Sequence, residues 1–178
     1  MFDLTDSVTI SGNSYPIRTE FRTILEIFVM LDDPDLTDAD KTEALLRMFY
    51  IERPSDPDAA IEAFIRFVDP RSARRSVKSS SHLISWEQDF DLMAAPVNHI
   101  LGTECRAMPE LHWHTFLAAY LEIPPESVFA RVLRIREKLR TGKKLEKEER
   151  SWYRKNADLV ALKPKYSEAE ENILKEWS

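Results

Sequence analysis

The chain has 178 residues, of which 43% are hydrophobic and 31% are charged, and its formal net charge is −6. This balance is typical of a globular protein with its own core, and the net negative charge argues against nucleic acid as the main ligand. The three glycines, Gly12, Gly102 and Gly142, are too far apart to form a phosphate-binding loop, which excludes the common nucleotide-binding motifs.

The chain begins with a segment that predicts a β-hairpin. Gly12 and Asn13 supply the turn, and apolar residues alternate on both sides of it. From Phe21 onward the apolar spacing changes to i, i+3, i+4, which predicts an amphipathic helix that ends at Asp33-Pro34.

Two capping signals predict a second and a third helix. Thr37 with Asp40 is an N-cap pattern, and Asp56-Pro57 combines a cap with a proline in the first turn. Residues 1–69 carry 15 acidic and 6 basic side chains and form an acidic N-terminal part. The stripe predicted to be buried on the third helix is Ile61, Phe64, Ile65 and Val68.

Residues 70–84 predict a connector, because the run PRSARRSVKSSS is basic, rich in serine and poor in large apolar side chains. Its cations could form a nucleic-acid or anion contact, or they could belong to a solvated link. Composition favours the solvated link. The four cations are Arg71, Arg74, Arg75 and Lys78.

Residues 85–178 predict a helical C-terminal part. Ser85 with Gln88 forms a capping box for a helix that Gly102 ends, and Pro96 inside it should kink the helix or split it in two. A helix from Pro109 to Ile123 follows. Another begins at Pro124-Pro125, and its apolar stripe is Val128, Phe129, Val132, Ile135 and Leu139.

The end of the chain is charged, and few apolar residues are available to dock it. Ser167 and Glu170 form a capping box before a last short helix. The fold class is therefore mainly α: a compact helical domain of about seven to eight helices with an N-terminal β-hairpin, in which 85–178 packs on 1–69 as one unit. The residues predicted to dock the charged segment after Gly142 are Leu145, Trp152 and Tyr153.

His112 and His114 lie close in sequence to Cys105 and Glu110, and these four side chains could be taken for metal ligands. Because Pro109 to Ile123 predicts a helix, side chains two residues apart point about 200° apart and cannot hold one ion. Zinc sites normally gather three or four convergent ligands. We therefore predict separate surface or boundary histidines, with no metal and no cofactor.

The remaining chemical candidates are a thiol and two acids. Cys105 is the only cysteine, which fits a reducing compartment, and nothing around it matches a nucleophile motif. Asp89 and Asp91 lie two positions apart in a first helical turn, so their carboxylates point in different directions. Acidic residues are common there because the helix dipole stabilises them. We expect no catalytic residues and no enzyme.

A basic stretch from Arg131 to Lys147 holds eight basic and two acidic residues. Arg131, Arg134 and Lys138 line one face of a helix. A solvated face is favoured over a nucleic-acid site, and an acidic protein partner or the acidic part of a neighbouring copy is a third possibility. These three residues are the candidate partner-binding residues.

Four motifs follow one another along the chain: GNSYPIRTEFR, WEQDFDLMAAPVNHILG, LHWHTFLAAYLEI and RIREKLRTGKKLEKEERSWYRKN. With these motifs the chain resembles a family of tailed-bacteriophage proteins called gene product fifteen, or phage structural protein. The similarity covers Tyr15 to Lys165. The family resembles tail assembly chaperones, so the resemblance implies a non-catalytic protein that binds the tape-measure protein until tail-tube subunits polymerise around it.

The alternative is a permanent structural component of the phage tail or head–tail region. The resemblance also implies the host bacterial cytoplasm during assembly, for a phage or prophage gene, and no apolar run approaches the roughly 18 residues that span a bilayer. From residue 70 onward the chain has 16 acidic and 19 basic residues, opposite in balance to residues 1–69. This asymmetry predicts self-association into rings or spirals.

Overall fold

A computed structural model describes residues 3–69 and 83–167. These residues contain eight α-helices and an N-terminal two-stranded hairpin, which confirms the predicted fold class. The predicted connector, except for Leu83 and Ile84, and the predicted last helix lie outside the described residues. The helices are α1 (Phe21–Leu31), α2 (Asp38–Phe49), α3 (Pro57–Val68), α4 (Trp86–Leu101), α5 (Trp113–Leu121), α6 (Val128–Arg140), α7 (Lys147–Lys155) and α8 (Ala157–Val160).

The described residues group into two compact units. One holds residues 3–69, 110–116 and 165–167, and the other holds residues 83–109 and 117–164. The boundary between the units therefore falls within α5. Residues 110–116, which the sequence analysis assigned to the C-terminal part, belong to the first unit.

The hairpin pairs β1 (Ser7–Ile10) with β2 (Asn13–Pro16) in antiparallel register. Ile10 lies opposite Asn13, so the turn is Ser11-Gly12 and not the predicted Gly12-Asn13. Ser11 and Gly12 have φ values of 49° and 85°, the pair of positive values that matches the twist of two strands joined by a tight turn.

The first unit buries an aromatic core. Phe49 of α2 lies 5.0 Å from Phe64 and 5.3 Å from Phe67 of α3 between ring centroids, and Phe21 stacks on Phe116 at 4.6 Å. The predicted caps of these helices are confirmed: Thr37 and Asp40 form a capping box, and Asp56 caps α3 with Pro57 in its first turn.

The face that α3 buries differs from the predicted one. Ala60, Ala63, Phe64 and Phe67 are buried, whereas Ile65 is 43% exposed and Ile61 and Val68 are half-buried. The alanines have no long side chain and allow close approach: the Tyr50 hydroxyl donates a hydrogen bond to the Ala60 carbonyl at 2.8 Å. The predicted face was wrong because it was chosen by its large apolar side chains, whereas the buried face includes two alanines.

The predicted helix from Pro109 begins only at Trp113. Before it, residues 109 and 110 form a turn, in which Glu110 has a φ of 54°, and residues 111 and 112 pair with the start of α1. The Leu111 carbonyl accepts a hydrogen bond from the Phe21 amide at 2.9 Å, and the Trp113 amide donates to the Thr19 carbonyl at 2.6 Å. These bonds use backbone groups that a helical turn at 109–112 would have used locally. Tertiary pairing with the start of α1 thus replaces the helix.

The second unit packs α4, α6 and α8 together. Val132, Ile135 and Val160 are fully or nearly fully buried, and the side chains predicted to dock the charged segment, Leu145, Trp152 and Tyr153, pack against them. Pro96 lies inside α4 without splitting it, and Gly102 ends α4 with φ 70°. Two residues of the stripe predicted for α6 are exposed, because they lie in its terminal turns: Val128 and Leu139.

Candidate partner-binding face on α6 and α7

A buried ion pair fixes α6 against α4. The Arg136 guanidinium donates to both carboxylate oxygens of Asp89, at 2.6 and 2.9 Å, and both side chains are buried. Its other donors reach the carbonyl oxygens of Leu83, Leu159 and Val160 at 2.8–3.0 Å. All five N–H groups of the guanidinium are therefore used, which holds the helix in one orientation.

Asp89 also completes the cap of α4. Its Oδ2 accepts the Ser85 amide at 2.9 Å, while the Ser85 hydroxyl accepts the Gln88 amide at 3.2 Å. The predicted reciprocal partner, Gln88, instead donates its side-chain amide to the Ala161 carbonyl at 2.6 Å. The helix dipole alone therefore does not explain Asp89, whereas Asp91 is an exposed acid that pairs with Arg106 at 3.4 Å.

The three candidate partner-binding residues lie together. They line a cavity of about 340 Å³ between α6 and the segment that contains α7. We call this surface the α6–α7 face. Its residues are Arg131, Arg134, Lys138, Glu146, Glu148, Glu149 and Trp152.

Lys138 is neutralised within this face. Its Nζ lies 2.7 Å from both carboxylate oxygens of Glu149 and 3.5 Å from Glu146. The hydrogen bond between them raises the pKa of Lys138 and lowers the pKa of Glu149. Lys138 therefore fastens α7 to α6, and its charge is already matched.

Arg131 and Arg134 are differently placed. The Arg131 guanidinium lies over the Trp152 ring, 5.4 Å from its centroid, and Arg134 is exposed and donates to the Pro125 carbonyl at 3.2 Å. Within residues 3–69 and 83–167, neither guanidinium has a carboxylate within 4.0 Å. The face thus presents one cation over an aromatic ring and a second, exposed cation in the same cavity, and arginine and tryptophan are both enriched at protein interfaces.

The three cations of the face are predictable from their spacing on one helix, whereas its three acids and its tryptophan are not. Trp152 was assigned only to docking, although it also contacts Arg131. The signal that could have found Lys138–Glu149 is weak, because the two residues lie eleven positions apart in different helices. Only the loop between α6 and α7 brings them together.

The two histidines are not separated, contrary to the prediction. His112 lies in the extended segment before α5, and its ring centroid is 5.2 Å from that of His114. The Nε2 atoms lie 3.0 Å from the Thr5 carbonyl oxygen and 2.8 Å from that of Phe67, and the His114 amide donates to His112 Nδ1 at 3.0 Å. Three ring nitrogens therefore bind groups of the protein itself.

In the described part of the chain, no group of three or more His, Cys, Asp or Glu side chains has an arrangement that could hold a metal ion. Cys105 is fully buried, and burial raises the pKa of its thiol. A nucleophilic cysteine needs the opposite shift, because the thiolate is the reactive form. The Cys105 amide donates to the Asn98 side chain at 2.7 Å, which makes this residue part of the turn after α4.

A family model described as Bacteriophage Gp15 protein matches residues 1–162, so the chain belongs to this family. The match confirms the resemblance found in the four motifs. Neither the curated proteins nor the solved structures contain a match. Among the described helices, none has the length and apolar character needed to cross a membrane.

Proposed function

We propose that this bacteriophage protein is a tail assembly chaperone-like protein that binds the tape-measure protein during tail assembly, without catalysis. The observation that carries the proposal is the α6–α7 face, where Arg131 and Arg134 line the same cavity as Trp152 and have no carboxylate within 4.0 Å among the described residues. Arginine and tryptophan are the residue types most enriched among those that dominate binding energy at protein interfaces.

The face suits a helical segment that carries acidic side chains. Arg131 and Arg134 lie one turn apart on α6, so their guanidiniums can each receive a carboxylate from a partner. Glu146 and Glu148 border the same cavity and repel a uniformly acidic chain. We therefore infer a partner segment of mixed charge.

Reversible binding follows from the composition of this face. Ion pairs that remain in contact with water contribute about 0–1 kcal/mol each, so a partner held by them can be released. An assembly chaperone needs such release when tail-tube subunits replace it. The tail-tube protein and further copies of the chain are the other partners we propose.

Four candidates for acid–base or nucleophilic chemistry named in the sequence have structural roles. Asp89 is bound by Arg136, the Cys105 thiol is buried, and His112 and His114 bind backbone groups. This arrangement supports binding over catalysis. The mixed-charge α6–α7 face is the binding surface that we propose for this function.

Co-expression with the tape-measure protein of the same phage tests the proposal. The wild-type chain should raise the soluble fraction of the tape-measure protein and co-purify with it. Arg131→Glu with Arg134→Glu should abolish both effects. Arg150→Glu with Arg154→Glu makes the same charge change on α7 outside the cavity and should retain them.

The composition of purified virions separates the two assembly roles. A chaperone should be present in lysates during assembly and absent from finished particles by mass spectrometry. Stoichiometric presence in the particle would instead assign the chain to the permanent tail or head–tail structure. Equal loss of solubility in both double variants would remove the α6–α7 face from the proposal.

A further inference from the structure

A second candidate binding surface, which is mainly apolar, lies in the first unit between α2 and α3. It is a groove of about 330 Å³ to which α2 contributes Lys41, Thr42 and Leu45 and α3 contributes Ile61, Phe64 and Ile65. All of these residues belong to one unit. The groove shares no residue with the α6–α7 face.

The α3 side of this groove has the spacing of a packing face. Ile61, Phe64 and Ile65 lie at i, i+3 and i+4, which is why the sequence predicts their burial. In the structure Phe64 is buried, but Ile61 is half-buried and Ile65 is 43% exposed. Helices normally cover such a stripe, so the described part of the protein leaves an apolar strip uncovered here.

The charge around the groove selects among possible occupants. Residues 3–69 carry 15 acidic and 6 basic side chains. Asp38 lines the groove, and Asp58 lies one helical turn before Ile61 on α3. Lys41 is the one cation among the lining residues. Asp38 and Lys41 balance each other within the lining, so it is the net negative charge of residues 3–69 that favours a positively charged occupant.

We propose that the α2–α3 groove binds an amphipathic α-helix of another protein, whose apolar stripe is flanked by lysine or arginine. Apolar side chains at i, i+3 and i+4 of that helix pack between Leu45 and Ile65, and its cations face Asp38 and Asp58. This is the helix-in-groove mode of recognition. It is independent of the proposed function, because it uses a different surface and the opposite charge.

The binding assay uses the full chain and three fluorescent synthetic peptides. The first is a helical peptide of leucine and lysine with leucines at i, i+3, i+4 and i+7. The second has the same composition in an order that gives no apolar face, and the third replaces every lysine with glutamate. Only the first should bind, and its affinity should fall as salt rises from about 0.05 M to about 0.5 M.

Two isoleucine variants locate the contact. Ile65→Ser should weaken binding of the first peptide by about three- to sevenfold, because only the exposed part of this side chain remains to be buried. Ile51→Ser is the matched control: Ile51 is 59% exposed in the same unit but does not line the groove. Lys41→Glu should strengthen binding, since it removes the lining cation.

Several outcomes would overturn the proposal. Equal binding of the ordered and disordered peptides would show a non-specific charge effect. Equal affinity of the Ile65 and Ile51 variants would place the contact elsewhere. A mass that rises with concentration, and that Ile65→Ser lowers while Ile51→Ser does not, would assign the groove to a second copy of the chain. Circular dichroism and thermal unfolding check that each variant is folded.

Discussion

The Asp89–Arg136 pair provides a residue-level test of what fixes the second unit. Removing one partner leaves a buried charge without compensation, which typically costs about 3–5 kcal/mol. Asp89→Asn should therefore lower the free energy of unfolding by about 3 kcal/mol in urea titrations. Asp91→Asn, two residues away on the exposed surface, should change it by less than about 1 kcal/mol.

A double variant of this pair tests whether the three carbonyl contacts of Arg136 add to the stability that the ion pair provides. Arg136 donates to three backbone carbonyls as well as to Asp89. Apolar replacement of both partners would rescue a simple pair, but here it would leave those carbonyls unpaired. A double variant as stable as wild type would contradict the role given to the carbonyl contacts.

The buried role of Arg136 is not predictable from the sequence alone. It was counted among eight bases in a charged stretch, although it follows Phe129 and Val132 at the spacing of the buried face. Asp89 lies on the buried face of α4 beside Met93. An acidic residue on the apolar stripe of one helix and a basic residue on that of another indicate a possible buried ion pair. The sequence alone does not show that these two residues, 47 positions apart, are partners, because that depends on how the helices pack.

Glu104 provides a test of stability against pH. Hydrogen bonds from the Arg106 side chain and amide, with a further one from Asn98, lower the pKa of this carboxyl from 4.5 to about 2. A folded-state pKa below the unfolded value stabilises the protein above pH 4.5, and this contribution is lost as the pH falls through about 2.

The measurement compares urea unfolding of wild type and Glu104→Gln at several pH values. The difference in stability should be constant above pH 4.5 and should narrow as the pH falls toward 2. The sign follows from the direction of the shift, because protonation removes the charge that Arg106 stabilises. A stability difference between wild type and Glu104→Gln that stays constant from pH 4.5 down to 2 would contradict a lowered pKa of Glu104.

At the level of elements, caps and apolar spacing predict most of the helices, but they do not predict the long-range contacts that determine where some elements begin and end. The caps Thr37 and Asp56 and the terminal Gly102 were found because each depends on a few adjacent residues. The start of α5 was placed four residues early, because Glu20 and His112 form a bridge that no local signal encodes. The turn at Ser11-Gly12 was missed by one residue for a similar reason, since the strand register determines it.

Helix α7 should be the least protected helix of the second unit. It has no buried residue and is held by the Lys138–Glu149 ion pair and by the contacts of Trp152 and Tyr153. Trp152→Ala should lower stability by about 2 kcal/mol, less than for a fully buried aromatic residue, and should speed hydrogen exchange of the α7 amides above that of α6.

The outcome for α7 can be separated from general destabilisation. Ile100→Ala removes a 38%-exposed apolar side chain of α4 from the same unit, and Ile100 is not among the residues that pack with Trp152 and Tyr153. It should leave the exchange difference between α7 and α6 unchanged. If Trp152→Ala speeds hydrogen exchange equally in both helices, Trp152 stabilises the whole unit and does not specifically hold α7 in place.

At the level of the whole molecule, the acidic and basic halves of the sequence predict contacts between copies. Residues 1–69 have 15 acidic and 6 basic residues, while the α6–α7 face presents Arg131 and Arg134 without carboxylate partners among the described residues. We predict that this face binds the acidic first unit of a neighbouring copy. Composition made this expectation possible, but only the structure shows which cations remain available, since Lys138 is matched internally.

Light scattering across a range of protein concentrations checks this last prediction. The mass should exceed that of one chain at about 0.05 M salt and fall toward it at about 0.5 M, because screening weakens contacts between exposed charges. Arg131→Glu with Arg134→Glu should lower the mass at low salt, and Arg150→Glu with Arg154→Glu should not. Ile65→Ser should also leave it unchanged, since the α2–α3 groove is assigned to a different protein. A single-chain mass at every concentration and salt level would rule out self-association through these charges.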